Sequence, residues 1–325
     1  MKSLIAAALL GTSICMAQAP AAAPANPAPP RTYSSLNEVE GLSVDRFIGH
    51  PENEPVHLSH GTLLTHAILK PGNPYQPGPQ SEVLEYRKLL AVAQLLPGSQ
   101  TPLAAYPDAY FFYVKSGEGR LDDGKLQWEL KPGIAVLAPQ NVPHRLINTS
   151  PDKPLDMILL QWTGGPDAKK ELIVRNTQLL PWCEENAHWN NTSRCIFSAA
   201  DGLLPGERIF IVMLQPWLVS QPHPHTPGTE EIWTKISPGT IPILMNSDLR
   251  EMPENSAYLV PPTGKTDHSN LNVSKTKTEW WVYIARGPNN PNPRPAGPPA
   301  GQRPLTNPNL SRDTHAATVE GKPLQ

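Results

Sequence analysis

Ten histidines are spread along the 325 residues, but only His223 and His225 stand two apart, and two carboxylates, Glu230 and Glu231, follow them. Side chains alternate between the faces of an extended chain, so an H-x-H sequence turns both imidazoles to one side. Imidazole nitrogen and carboxylate oxygen together suit a divalent ion of manganese, iron, nickel, copper or zinc. Such an ion needs a further ligand from another segment, and His268, which follows the turn Pro261–Asp267, is placed to give it. Glu230 and Lys235 are the candidates for acid–base work. If Glu231 points inward, Trp233 and Lys235 share its face, and Lys235 either clamps a substrate carboxylate or reaches solvent at the strand end.

Ligands from three segments converge only if strands hold them. Short apolar runs alternate with Pro/Gly turns, among them "AYFFYVKSGEG" from Ala109, "IAVLAP" from Ile134, "IFIVMLQPW" from Ile209 and "WWVYIA" from Trp280. Runs this short, rich in β-branched and aromatic residues, predict an all-β sandwich or barrel. The 40 prolines agree, since they favour turns over helix. Ser81–Ala93 fits a short helix as well as strands. The pattern also occurs twice. Ser99, Gln100 and Tyr110 answer Ser220, Gln221 and Glu231 at an offset of 121; Pro139 answers Pro261 at 122; His144 and Asn148 answer His268 and Asn272 at 124. Two copies of one β-domain, meeting near residue 175, are expected.

These residues resemble the two motifs of the cupin superfamily, whose members are small antiparallel jelly-roll barrels: G-x5-H-x-H-x(3,4)-E-x6-G and G-x5-P-x-G-x2-H-x3-N. His223, His225 and a glutamate follow the first, and Pro261, Gly264, His268 and Asn272 the second. Pro238 and Asn255 replace two motif glycines, and one extra residue precedes His268. Counting from His225 selects Glu230; counting back along the strand from Pro238 selects Glu231. An insertion is cheap in a loop, whereas a one-residue slip in a strand reverses every side chain, so Glu231 is the expected ligand. In the N-terminal copy Gly133, Pro139, Asn141, His144 and Asn148 keep the second motif, but Pro102 and Ala104 stand at the histidine positions and Tyr110 at the glutamate.

The resemblance spans residues 85–286 and implies two tandem jelly-roll barrels, 32–175 with a degenerate metal site and 176–286 with one divalent metal. It implies a secreted, metal-dependent oxidoreductase, dioxygenase or oxalate-decarboxylase-like, acting on a small oxygen-rich substrate. A non-catalytic module that binds or senses a sugar or organic acid is the alternative, and a homo-oligomer is compatible with either. The formal net charge of −2, with 17% charged residues, offers nothing to nucleic acid.

The N-terminus reads as an export signal over residues 1–17, cut after Ala17, with an apolar run too short to span a bilayer. A secreted or periplasmic protein is expected. Residues 18–31 form a Pro/Ala tether and 287–325 a Pro-rich tail, neither able to offset its ordering entropy by burial. In an oxidising compartment Cys183 and Cys195 are expected to pair as a disulfide. His50, His57, His60 and His66 read as loop and turn residues, and Trp280 and Trp281 as strand packing.

Overall fold

The computed structural model describes residues 43–183 and 190–287. The export signal, the tether and all but the first residue of the tail lie outside the described residues. Strands and three short 3-10 turns make up the regular structure, with no α-helix among the described residues. Residues Ser81–Ala93 contribute strands Glu82–Leu84 and Leu89–Leu95, the second burying Leu90, Ala91, Ala93 and Leu95. Flanking strands here outweigh a helical periodicity too short to stand alone.

Both halves repeat one strand order. The first large sheet runs Ile173–Asn176, Ile134–Ala138, Ala109–Ser116, Leu155–Trp162, Leu89–Leu95, Leu63–Pro71, with Val56–Ser59 at its edge. The second runs Ile48–Gly49, Ala257–Val260, Glu230–Lys235, Glu279–Arg286, Arg208–Leu214, Asn191–Phe197. A three-stranded sheet packs on each, Arg145–Asn148, Gly119–Asp122, Gln127–Leu130 in one half and His268–Asn270, Ile241–Met245, Asp248–Met252 in the other. The repeat extends to single hydrogen bonds. Asn148 Nδ2 donates to Leu95 O and Lys153 O, and Asn272 Nδ2 donates to Leu214 O and Lys277 O, at 2.8–2.9 Å in each case.

The opening strands are exchanged. Ile48–Gly49 pairs with Ala257–Val260 of the second barrel, while Ile173–Asn176 pairs with Ile134–Ala138 of the first. The sequence boundary near residue 175 thus falls inside a strand that the first barrel needs. Ala109–Ser116 and Glu230–Lys235 are buried on both faces, one toward a barrel interior and the other toward the seam. At the seam Phe111, Ile158 and Leu160 join one apolar cluster with Phe210, Ile232 and Ile284. A buried ion pair, Arg87 to Glu207 at 2.7 Å, crosses beside them.

The expected disulfide is not formed. Cys183 pairs with Ser193 across an antiparallel bridge, its N–H donating to Ser193 O at 2.7 Å. Cys195 is then a diagonal neighbour, about 7–8 Å away between Cα atoms, beyond the usual disulfide span of about 4.4–6.8 Å. The sulfurs rest instead 3.5 Å from Ser193 Oγ and 3.8 Å from Phe197 O.

Candidate metal centre

Two segments bring the histidines of the C-terminal barrel together. His268 opens the strand His268–Asn270, which is fixed by Ser220: Asn270 N donates to Ser220 Oγ at 2.7 Å, and Ser269 Oγ donates to Ser220 O at 2.6 Å. The loop carrying His225 is clamped to the turn before His268, with Gly228 N donating to Pro262 O at 2.8 Å. Gly264 sits in that turn at φ 78°, where a Cβ would fall 2.5 Å from Pro227 Cγ. Only a glycine allows so close an approach with that backbone. His223 bridges directly to His268.

The ligand atoms of His223, His225 and His268 all lie within 4.8 Å of one another. Glu231, wholly buried on the inward face of Glu230–Lys235, adds a carboxylate whose oxygens are 2.6 Å from His225 Nε2 and 2.9 Å from His268 Nε2. The tautomers favour a cation. His223 Nδ1–H donates to Gln221 O at 2.8 Å and His268 Nδ1–H to His223 O at 3.0 Å, since a carbonyl can only accept. In the neutral ring Nε2 then carries the lone pair. A lone pair 2.9 Å from a carboxylate oxygen calls for a proton or a metal ion between them. The residues therefore fit a first-row metal in both donor type and direction.

Two further side chains hold Glu231. Trp233 Nε1–H donates to Oε1 at 2.7 Å and the Tyr283 hydroxyl to Oε2 at 2.9 Å. Burial alone would raise the Glu231 carboxyl, but His268 and His225 hold it well below the usual range. Burial likewise pushes the His223 imidazole down, against the raising effect of its bond to Gln221. Trp233 shares a face with Glu231 by alternation and was visible in that sense; Tyr283, in an apolar run that read as core, carried no sequence signal.

The acid–base candidates are elsewhere. Glu230 faces the seam, where Oε2 accepts the backbone N–H groups of Glu85 at 2.8 Å and Tyr86 at 3.0 Å. Lys235 does not reach solvent. It is fully buried and bound to Glu279 at 2.7 Å and Ser237 O at 2.6 Å.

In the N-terminal barrel the strand pairings correct the sequence correspondence. Ala104 bridges to His144 as His223 does to His268, and Gln100 bridges to Ile147 as Val219 does to Leu271. Ala104 and Tyr106, rather than Pro102 and Ala104, therefore answer His223 and His225. The offset before the loop is 119, from residue 104 to 223, and two extra residues in the C-terminal loop restore 121 at Glu231. His60, one of the four histidines read as loop residues, lies in a turn at φ 48° yet is 6% exposed and sits among Tyr106, Tyr110, Phe112 and His144.

Residues 91–160 match the family described as Cupin domain, a match that falls on the N-terminal barrel. The fold is similar to that of AerE from Microcystis aeruginosa, at 13% identity and a TM-score of 0.54, covering 74% of this chain and 99% of that one. It is similar to oxalate decarboxylase from Lactobacillus farciminis in complex with formate, at 12% identity and a TM-score of 0.54, covering 76% and 87%. Vicilin from hazelnut, Corylus avellana, shares it at 9% identity and a TM-score of 0.53, covering 74% and 85%. No curated protein matches the sequence significantly. The cupin match lies on the N-terminal barrel, and the chain as a whole has the fold of two cupin-like jelly-roll barrels.

Proposed function

We propose that the C-terminal barrel binds one divalent transition metal through His223, His225, Glu231 and His268, and that the protein acts on a small oxygen-rich acid as a metal-dependent oxidoreductase or decarboxylase. The observation that carries this is the convergence of three histidine ligand atoms within 4.8 Å beside a buried carboxylate. A divalent ion with three neutral imidazoles and one carboxylate keeps about one positive charge, which favours an anion in its open positions. When bound, the metal supplies Lewis acidity or redox chemistry. Glu231, anchored by Trp233 and Tyr283, holds the ligand set in place. The formate-bound oxalate decarboxylase, similar in fold, supports a small carboxylate as ligand. Export to the periplasm or beyond belongs to the same proposal and is tested by the N-terminal sequence of the mature protein.

The placement of Glu230 and Lys235 away from the cluster favours a second reading, a module that binds or senses a small acid without turning it over. One experiment separates the two. Metal content of the purified chain is measured, followed by oxygen uptake and carbon dioxide release with oxalate, other dicarboxylates, catechols and flavonols. One metal per chain with turnover supports the enzyme; metal with saturable binding and no turnover supports the module. Less than a tenth of a metal per chain after reloading overturns the metal site and the enzyme, and leaves only a metal-free module, itself overturned if no small acid binds.

A further inference from the structure

The interior of the N-terminal barrel holds a pair of imidazoles that its lost metal motif does not explain. His144 is 1% exposed, and its Nδ1–H donates to Val142 O at 3.0 Å. Its Nε2 therefore carries a bare lone pair, and that atom is buried with no hydrogen-bond partner. His60 is 6% exposed, its Nδ1 is 2.7 Å from Ser59 Oγ, and its Nε2 is likewise buried without a partner. The two ring centroids are 5.5 Å apart, close to the 4.8–5.0 Å between the rings of the C-terminal cluster. Leaving a buried polar atom without a partner is costly. Both rings lie against Tyr106, Tyr110 and Phe112, and one shared partner would satisfy the two atoms.

We propose that His60 and His144 form a second, unlike metal site, which takes a monovalent soft ion, copper(I), between their Nε2 atoms. The surroundings choose the charge and the metal. The rings around His60 are those of Tyr106, Tyr110, Phe112 and His144, and none of them brings a carboxylate. Asp108, which immediately precedes the strand Ala109–Ser116, is engaged by Lys88 at 2.6 Å and Gln161 at 2.7 Å. A buried divalent ion without an anionic ligand leaves two charges uncompensated, whereas a single charge is eased by aromatic faces. Copper(I) is the first-row ion content with two neutral nitrogen donors. The donors are independent of the C-terminal cluster, and one of them, His60, comes from a turn outside both family motifs.

The full chain, with the C-terminal site loaded with zinc except in His268→Ala, is titrated anaerobically with copper(I) held by a competing chelator. Wild type and His268→Ala should each retain one copper per chain that resists the chelator, while His60→Leu and His144→Leu should retain none. Copper retention unchanged in both N-terminal variants, or lost with His268→Ala alone, overturns the site. Should the leucine variants unfold, the wild-type chain still decides the matter. Silver(I), a diamagnetic stand-in, should shift the imidazole Nε2 resonances of His60 and His144 in a long-range proton–nitrogen spectrum, and both resonances staying in place overturns the site equally.

Discussion

Glu230 and Glu231 are adjacent carboxylates with opposite surroundings, one turned to the seam and the other to the three histidines. Substituting each should therefore break a different property. Glu231→Gln should remove most of the bound metal and leave the barrel folded, whereas Glu230→Ala should keep the metal. The latter strands the N–H groups of Glu85 and Tyr86 and should lower stability by roughly 2 kcal/mol, read from metal content and urea denaturation of both variants. Loss of metal from the Glu230 variant alone would reverse the assignment. His225→Ala and His268→Ala should each abolish most divalent-metal binding by the C-terminal barrel. Tyr283→Phe removes a hydrogen bond to the carboxylate rather than a ligand, so it should weaken metal affinity by about 10–100-fold, with the far-ultraviolet spectrum unchanged.

Elements decide whether such residues ever meet. The turn Pro261–Asp267 rests on the loop after His225 through Gly264, and Gly264→Ala has both a positive φ and a 2.5 Å contact against it. That substitution should cost on the order of 1–3 kcal/mol and weaken metal binding together with stability, measured in one titration series with and without metal. The turn Ser59–His60–Gly61 gives the N-terminal barrel its own pH response. Burial, then the neighbouring His144, lower the His60 imidazole from 6.5 to about 3. A depressed folded value means the unfolded chain takes the proton first. The contribution is thus present above pH 6.5 and is lost progressively as pH falls toward 3, with an upper bound of roughly 5 kcal/mol. Stability of metal-free protein followed from pH 7 to 4 should fall more steeply for wild type than for His60→Phe.

Much of this organisation was legible in the sequence. Short apolar runs between Pro/Gly turns indicated the all-β fold, and correspondences such as Asn148 with Asn272 indicated the repeat, because both depend on local patterns. The pairing of Ala104 with His144 was not legible: the two-residue loop insertion that shifts the offset from 119 to 121 is silent until strands are paired. His60 read as a loop histidine because nothing in a turn's sequence says which way its side chain points. The disulfide failed for a related reason, since close spacing along the chain says nothing of the strand register that holds Cys183 opposite Ser193.

At the scale of the molecule, the two barrels are joined by their exchanged strands and by the apolar seam. Gly49 lies in the exchanged strand Ile48–Gly49, where an added Cβ would come within 1.7 Å of Ile68 O. Gly49→Ala should therefore push that strand off Ala257–Val260 and lower the urea midpoint by an amount worth about 2–4 kcal/mol, while metal binding in the absence of denaturant survives. An unchanged midpoint would show that the exchange contributes little. The exchange also sets an order in time. Ile48 pairs with Tyr258, 210 positions later in the chain, and the sheet of the first barrel lacks an edge until residues 173–176 have emerged. Contacts that span so much sequence are slow to form. A ribosome adding about 5–20 residues per second needs roughly 10–40 seconds to reach from Ile48 to Tyr258, so the strand Ile48–Gly49 stays unpaired, and the newborn chain threadable, for that long.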